Sequence, residues 1–292
     1  MRNNLFLISQ LTISFSPGEL PSFRNNYFYK FHFVRQGSKK GSFLIRRTFS
    51  HKTDFYWRVR MKMIDLIHKT HSKQPLSKEE FRFLVTSFTE DKIPDYQMAA
   101  WLMAVCFQGL TSEETANLTI AMAESGKTLR WEEFPTPPLD KHSTGGVGDA
   151  TTLLLLPLLA ACDIPAAKMS GRGLGFTGGT LDKLDSIPGF QSILPEEVFK
   201  EQLKNHCIAL TGQSKDLAPA DGQIYALRDV TDTVQSLPLI ASSIMSKKIA
   251  AGAHQIVLDV KVGSGGFMKT QAEGEKLASL MVQIGKLANR KV

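Results

Sequence analysis

From Met61 onward, apolar side chains recur at helical spacing between polar ones. Ile64, Leu66 and Ile67 mark a first short amphipathic helix. Ser77-Lys-Glu-Glu80 has the form of a capping box, in which a hydroxyl and a carboxylate satisfy the free N–H groups of a helix start. Phe81, Leu84, Val85 and Phe88 follow on one face. Pro94 at the N1 position opens a third helix over 95–108, closed by Gly109. Thr111-Ser-Glu-Glu114 caps a fourth that runs to Glu124 and stops at Gly126. Residues 61–130 are therefore predicted to form the first part of an all-helical domain, and 131–138 a proline-rich linker.

Beyond the linker the texture changes. Apolar runs at 153–156 and 256–260 alternate with glycine-rich turns and helical stretches, the pattern of an α/β domain. Residues 220–252 return to helical spacing, with Ile240, Ile244 and Ile249 recurring, before a strand over 255–262. The predicted class is α/β. A small all-helical domain (61–130 and 216–252) is interleaved with a larger mixed α/β domain (138–215 and 253–292).

The first sixty residues lack this rhythm. Their apolar residues keep no period, and Arg24-Asn-Asn-Tyr-Phe-Tyr-Lys-Phe-His-Phe33 is the single strand-like run. They hold 11 Lys/Arg against Glu19 and Asp54, and 13 of the 26 aromatic residues. The net charge of +7 belongs to them, because the rest of the chain carries 24 basic and 26 acidic side chains. A nucleic-acid-binding body is therefore not indicated. Three readings of the extension compete: an Arg-rich presequence around Arg46-Arg-Thr-Phe-Ser50, an aromatic-interleaved nucleic-acid arm, or sequence upstream of a native start near Met61 or Met63. The abrupt onset of order at Met61 favours the third, which sets 1–60 outside the fold.

No apolar run reaches the roughly 18 residues that span a bilayer, and residues 5–15 are too short and polar for a signal-peptide core. Cys106, Cys162 and Cys207 are odd in number and lack a C-x-x-C pair. They read as core thiols of a cytoplasmic protein, with neither a zinc site nor a disulfide set suggested.

The chemistry concentrates in three elements. Asp140-Lys-His-Ser-Thr-Gly-Gly-Val-Gly-Asp149 joins a cation, an imidazole, two hydroxyls and three glycines just ahead of the apolar run 153–161. Glycine-rich backbone can turn its N–H groups inward as an anion-binding nest, and a helix start adds a positive dipole end. Lys168-Met-Ser-Gly-Arg-Gly-Leu-Gly-Phe-Thr-Gly-Gly-Thr-Leu-Asp-Lys-Leu-Asp185 offers Lys168, Ser170, Thr177 and Thr180 as a second donor set. Its spacing does not follow the dinucleotide-binding pattern. Tyr225-Ala-Leu-Arg-Asp-Val-Thr231 and Ala241-Ser-Ser-Ile-Met-Ser-Lys-Lys248 form the third, with Ser243 and Lys247 at i, i+4 on one helical face. Arg228 could present a planar fork to a carbonyl-bearing ring. An Arg-Asp or Lys-Lys step alone is ordinarily solvated surface. Ser125-Gly-Lys-Thr128 imitates the end of a P-loop, but Ala121 stands where its first glycine belongs, and it sits at the wrong end of a helix.

Together these elements resemble the thymidine and pyrimidine-nucleoside phosphorylases, from about Met61 to the end of the chain. Ala218-Pro-Ala-Asp221 and Asp259-Val-Lys-Val-Gly-Ser-Gly-Gly-Phe-Met268 are also similar to that family. Phe176 stands where a His is usual, and Asp185 where a Glu is usual. The resemblance implies a nucleoside phosphorylase type II, phosphoribosyltransferase-like architecture. Its helical domain makes a homodimer, and its active site lies in the cleft between domains. Lys141, His142, Ser143, Thr152, Lys168, Met169, Ser170 and Thr180 would hold inorganic phosphate. Arg228, Ser243 and Lys247 would grip the pyrimidine, with His142, Arg228 and Lys247 stabilising charge on the departing base. A potassium ion would lie near backbone oxygens of Gly148 and Ala150, the latter replacing a usual Thr, and no organic cofactor is expected.

Lys168 looks like the branch that accepts uridine as well as thymidine; a thymidine-restricted enzyme is the narrower alternative. The family is considerably longer than this chain, so an incomplete α/β domain with an exposed apolar sheet edge is expected. Two further alternatives are an anthranilate phosphoribosyltransferase-like enzyme, acting on a diphosphate-bearing sugar with magnesium, and an inactive fragment that dimerises through its helices. The Arg228, Ser243 and Lys247 set argues against the former.

Overall fold

The computed structural model describes residues 61–171, 178–214 and 216–292, and two strands among the first sixty residues. The chain divides into two compact units, Met1–Val59 and Arg60–Val292. In the first, β1 (Tyr29–Phe33) pairs antiparallel with β2 (Gly41–Ile45), Tyr29 opposite Ile45. β1 falls within the strand-like run of the sequence.

The second unit opens with four helices: α1 (Met63–His71), α2 (Lys78–Thr89), α3 (Asp95–Gln108) and α4 (Ser112–Ala123). Both capping boxes form. Ser77 Oγ accepts the Glu80 N–H while Glu80 accepts the Ser77 N–H, and Thr111 and Glu114 repeat the exchange. Pro94 is the extended residue before α3 and not its first helical residue, and α4 ends one residue early, with Glu124 as its cap. Phe81, Leu84, Met98, Trp101 and Leu102 are fully buried and build the bundle core. Each such side chain contributes roughly 1.5–3 kcal/mol through burial. Trp101 Nε1 donates to Thr70 Oγ1 at 2.9 Å, so the largest of them buries no unpaired polar group.

The sheet is parallel, in the order β5-β4-β3-β6: β3 (Leu139–Ser143), β4 (Ala166–Ser170), β5 (Ile208–Gly212) and β6 (Gln255–Asp259). Asp140 lies opposite Ile256, and Lys168 opposite Leu210. Between the strands run α5 (Thr151–Ala161), α6 (Thr180–Leu184) and α7 (Glu196–His206). After β5 the chain returns to the bundle through α8 (Pro219–Val230) and α9 (Leu237–Ala250), whose Ala220, Ile224 and Leu239 join the bundle core. α10 (Gln271–Leu287) follows β6 and packs Leu277, Met281 and Ile284 against α9.

Two expectations need correction. The helical stretch 220–252 is two helices, broken at 231–236, where Asp232 takes φ +55°. β6 ends at Asp259, because the chain turns at Gly263, whose N–H donates to Met268 O at 2.9 Å. The outer edge of β6 is met by residue 291, since Ile256 N donates to Lys291 O at 2.8 Å. The exposed apolar surface lies mainly on α5, where Leu154 and Leu158 are 70% and 62% exposed.

Three crossings between bundle and sheet run side by side. Lys127 N donates to Asp216 O at 2.8 Å, Leu129 N to Ala250 O at 2.7 Å, and Trp131 Nε1 to Ala251 O at 2.9 Å. Gly252 sits against them at φ +72°, and a Cβ there would lie 2.3 Å from the Leu129 carbonyl oxygen. Among the described residues no helix is long and apolar enough to cross a membrane.

Candidate active site

A cavity of about 400 Å³ opens where the C-terminal ends of β3 and β4 meet α8 and α9. Parallel sheets characteristically bind ligands at the carboxyl ends of their strands. His142, Ser143, Lys168, Met169, Ser170 and Thr180 line its sheet side. Arg228, Ser243 and Lys247 line its helical side. Nine of the residues singled out in the sequence thus share one cavity.

On the sheet side, residues 140–143 are strand and the glycine-rich turn is confined to 144–150. A second glycine-rich loop braces it. Val147 N donates to Gly265 O at 2.9 Å, and Lys261 N to Thr144 Oγ1 at 2.8 Å. A Cβ on Gly146 would stand 3.0 Å from Gly265 O, so this close approach uses the missing side chain. Ser143 Oγ donates to Asp149, whose other oxygen accepts Thr151 N–H at 3.2 Å. Burial alone would raise the Asp149 carboxyl, but these hydrogen bonds outweigh it and hold it at about 2.

Lys168 is 3% exposed and donates to Lys141 O at 2.7 Å. Burial, reinforced by the nearby Lys248 charge, lowers its ammonium to about 7. Burial also pushes His142 well below the usual imidazole range, helped by Lys248, Lys168, Lys247 and Lys141. Its ring is neutral at neutral pH, so it offers a hydrogen bond and no charge.

On the helical side, Lys247 Nζ donates to Asp221 Oδ2 at 2.6 Å and to Ser243 Oγ at 2.9 Å. The i, i+4 pairing expected of Ser243 and Lys247 is present, and the two touch each other. Arg228 is 2% exposed and bonds three carbonyls: Thr233 O at 3.2 Å, Leu239 O at 3.0 Å and Val234 O at 2.6 Å. Three of its N–H directions are therefore spent on the turn between α8 and α9, and two of the five remain. Asp221 and Tyr225 lie one turn apart on α8 and also line the cavity.

Four of the predicted residues are not among those lining it. Lys141 is 2% exposed and pairs with Asp259 Oδ2 at 2.7 Å; the two are close but poorly aligned, so Lys141 Nζ has no hydrogen-bond partner. Thr152 is buried in the first turn of α5. Gly148 and Ala150 lie on the exposed turn, and Ala150 O already accepts Leu153 N–H at 3.0 Å. Phe176 and Thr177 fall outside the described residues.

Lys248, which sequence context reads as solvated, is 1% exposed. It donates to Asp140 Oδ2 at 2.8 Å and to Met169 O at 2.5 Å, tying α9 to β3 and β4. Sequence reasoning gave Asp221, Tyr225 and Lys248 no role. The spacing 221, 225 and 228 places three polar side chains on one helical face, and that signal could have found the first two.

Known proteins bear on this site. The domain described as "Glycosyl transferase family, helical bundle domain" matches residues 64–126, and "Glycosyl transferase family, a/b domain" matches residues 136–291. A pyrimidine-nucleoside phosphorylase of Geobacillus stearothermophilus is 55% identical over 231 residues, covering 79% of this chain and 53% of that protein. The Bacillus subtilis (strain 168) pyrimidine-nucleoside phosphorylase is 54% identical over 230 residues, with the same coverage. The chain thus spans about half the length of these relatives. The crystal structure of anthranilate phosphoribosyltransferase from Thermus thermophilus superposes with a TM-score of 0.60 over 76% of this chain and 63% of that one. At 21% identity that likeness concerns the fold alone.

Proposed function

The chain belongs to the glycosyl transferase family whose helical-bundle and a/b domains it carries, and from that premise we propose that it is a pyrimidine-nucleoside phosphorylase. The reaction is reversible phosphorolysis of uridine, thymidine and deoxyuridine to the free base and the (deoxy)ribose 1-phosphate. One observation carries the reading: an anion-donor set on β3 and β4 and a base-gripping set on α8 and α9 face each other across one cavity.

In this reading Lys168, Ser143, Ser170 and Thr180 hold inorganic phosphate at the strand ends. A phosphate oxygen forms the new bond to the anomeric carbon as the bond from that carbon to ring nitrogen breaks. The electron pair leaves with the base, which is protonated on departure. Lys247 and the two remaining N–H groups of Arg228 meet the charge that develops on the ring carbonyls. Donors fixed beforehand in a water-poor site are the largest single source of such stabilisation. Neutral His142 donates a hydrogen bond there, and it adds no cation to the four nearby lysines.

Holding both reactants in one cavity supplies another large share of the rate. Lys141 and Thr152 act from behind the loop unless the cleft closes on substrate. Hard oxygen donors on the Gly148–Ala150 turn, beside the Asp149 carboxylate, suit part of a potassium shell. A bound ion would supply positive charge next to the phosphate loop.

Lys168 supports acceptance of uridine together with thymidine. Exposed Ile64 on α1, and Tyr96 and Phe107 on α3, supply apolar surface for a homodimer through the helical domain. The test is base release from uridine and thymidine with phosphate, followed by absorbance. Release dependent on phosphate is expected, and none from either nucleoside overturns the reading.

A further inference from the structure

We propose that Asp221, with the Tyr225 hydroxyl, reads the hydrogen-bonding edge of the bound pyrimidine and selects its protonated ring nitrogen; this rests on the phosphorylase reading for the identity of the ring. Asp221 is 3% exposed and lines the cavity. Its Oδ2 accepts from Lys247, but its Oδ1 is buried with no hydrogen-bond partner. The Tyr225 hydroxyl, on the same face of α8 and the same cavity, is likewise buried without a partner.

A buried acceptor left unpaired costs about 1–3 kcal/mol, and more if charged, so native proteins keep few of them. Two beside one cavity indicate that a ligand completes them. A carboxylate oxygen only accepts, so its missing partner is a donor. Burial pushes the Tyr225 phenol up to about 12, so its oxygen keeps a proton to donate. Lys247 also only donates. The wall therefore offers donor, acceptor and donor through Lys247, Asp221 and Tyr225. That is the complement of a pyrimidinedione edge, where an N–H stands between two carbonyl oxygens. A cytosine-type ring instead turns a nitrogen lone pair toward the carboxylate and is disfavoured.

Asp221→Asn inverts this preference without changing shape. Lys247 can only donate, so it takes the amide oxygen and leaves the NH₂ group facing the ring. That group repels the N–H of uridine and satisfies the lone pair of cytidine. The experiment measures dissociation constants of uridine and cytidine calorimetrically on the full chain. Wild type should favour uridine by at least about tenfold, and D221N should shrink that ratio by at least about tenfold, the scale of one hydrogen bond to a charged group.

A D221N ratio equal to that of wild type, with both nucleosides weakened alike, would overturn the assignment. If D221N does not fold, wild type decides through 3-methyluridine, which lacks the ring N–H. Binding at least about tenfold weaker than uridine is expected, and equal binding refutes the assignment. Uridine selectivity without phosphorolysis would overturn the phosphorylase reading and leave Asp221 standing. Phosphorolysis with an unchanged D221N ratio would do the reverse, and no binding of either nucleoside removes both.

Discussion

Raising the pH with sulfate as the ligand isolates the charge on Lys168, because sulfate stays a dianion while inorganic phosphate titrates near neutrality. Burial sets this ammonium at about 7 in the empty site; Lys248 and Lys141 push it down, and Asp140 and Asp149 push it up. About half the sites therefore carry the cation at pH 7, about one in ten at pH 8 and about one in a hundred at pH 9. If the anion binds only the ammonium form, affinity falls roughly tenfold, or about 1.4 kcal/mol, per pH unit above 7. A bound anion raises the Lys168 value, so about 0.9 proton is taken up per sulfate at pH 8.

The sign for stability is opposite. Between about pH 7 and 10 the empty folded protein holds fewer protons than the unfolded chain, so stability rises with pH across that window. Calorimetric titration in two buffers of different ionisation enthalpy measures both affinity and proton uptake. Lys168→Met should bind weakly, with no pH dependence over this range. Wild-type affinity that changes less than about twofold between pH 7 and 9 would refute the reasoning.

Three more expectations follow from the packing. Lys248→Met leaves Asp140, 1% exposed, as a buried unpaired charge and should cost about 3–5 kcal/mol, seen as a melting point lower by roughly 10 °C; a fall under about 2 °C would show the pair to be dispensable. Gly252→Ala forces a Cβ against the Leu129 carbonyl at φ +72° and should cost about 1–3 kcal/mol in a denaturant titration, an unchanged midpoint counting against it. Arg228→Ala should slow uridine phosphorolysis by at least about 100-fold. It should also lower the melting point, since three carbonyls lose their donor. Arg228→Lys should not restore either property, because one ammonium cannot serve three diverging carbonyls.

The fold was legible wherever its chemistry is local. A capping box is complete within four residues, so Ser77–Glu80 and Thr111–Glu114 announced their helices without help from the rest of the chain. The return from sheet to bundle was legible as a change of hydrophobic period. The break at 231–236 was not. It is held by the Arg228 guanidinium gripping Thr233 and Val234 carbonyls, and no propensity reports that contact. The end of β6 escaped for a similar reason, since the alternation of Val260 and Val262 continues past the point where Gly263 turns the backbone.

The site shows a sharper limit. Lys247 and Lys248 are neighbours in sequence and look alike to any local rule. Yet one faces the cavity with Asp221, and the other is buried against Asp140, 108 residues away. What distinguishes them is the position of a carboxylate on another segment. The same holds for Lys141, which the motif assigned to phosphate and Asp259 holds behind the loop.

These pairings also bear on why the two domains interleave. Asp140–Lys248 and Arg228 with the carbonyls of 233, 234 and 239 involve residues 219–250, the segment inserted between β5 and β6. Until that segment docks, Asp140 lacks its counter-charge and the cavity lacks the wall that carries Asp221 and Lys247. Leaving such a charge buried and alone costs several kcal/mol, so partly docked arrangements are disfavoured. Formation of the bundle and formation of the anion site are therefore coupled, and a substitution at Lys248 should weaken sulfate binding as well as stability.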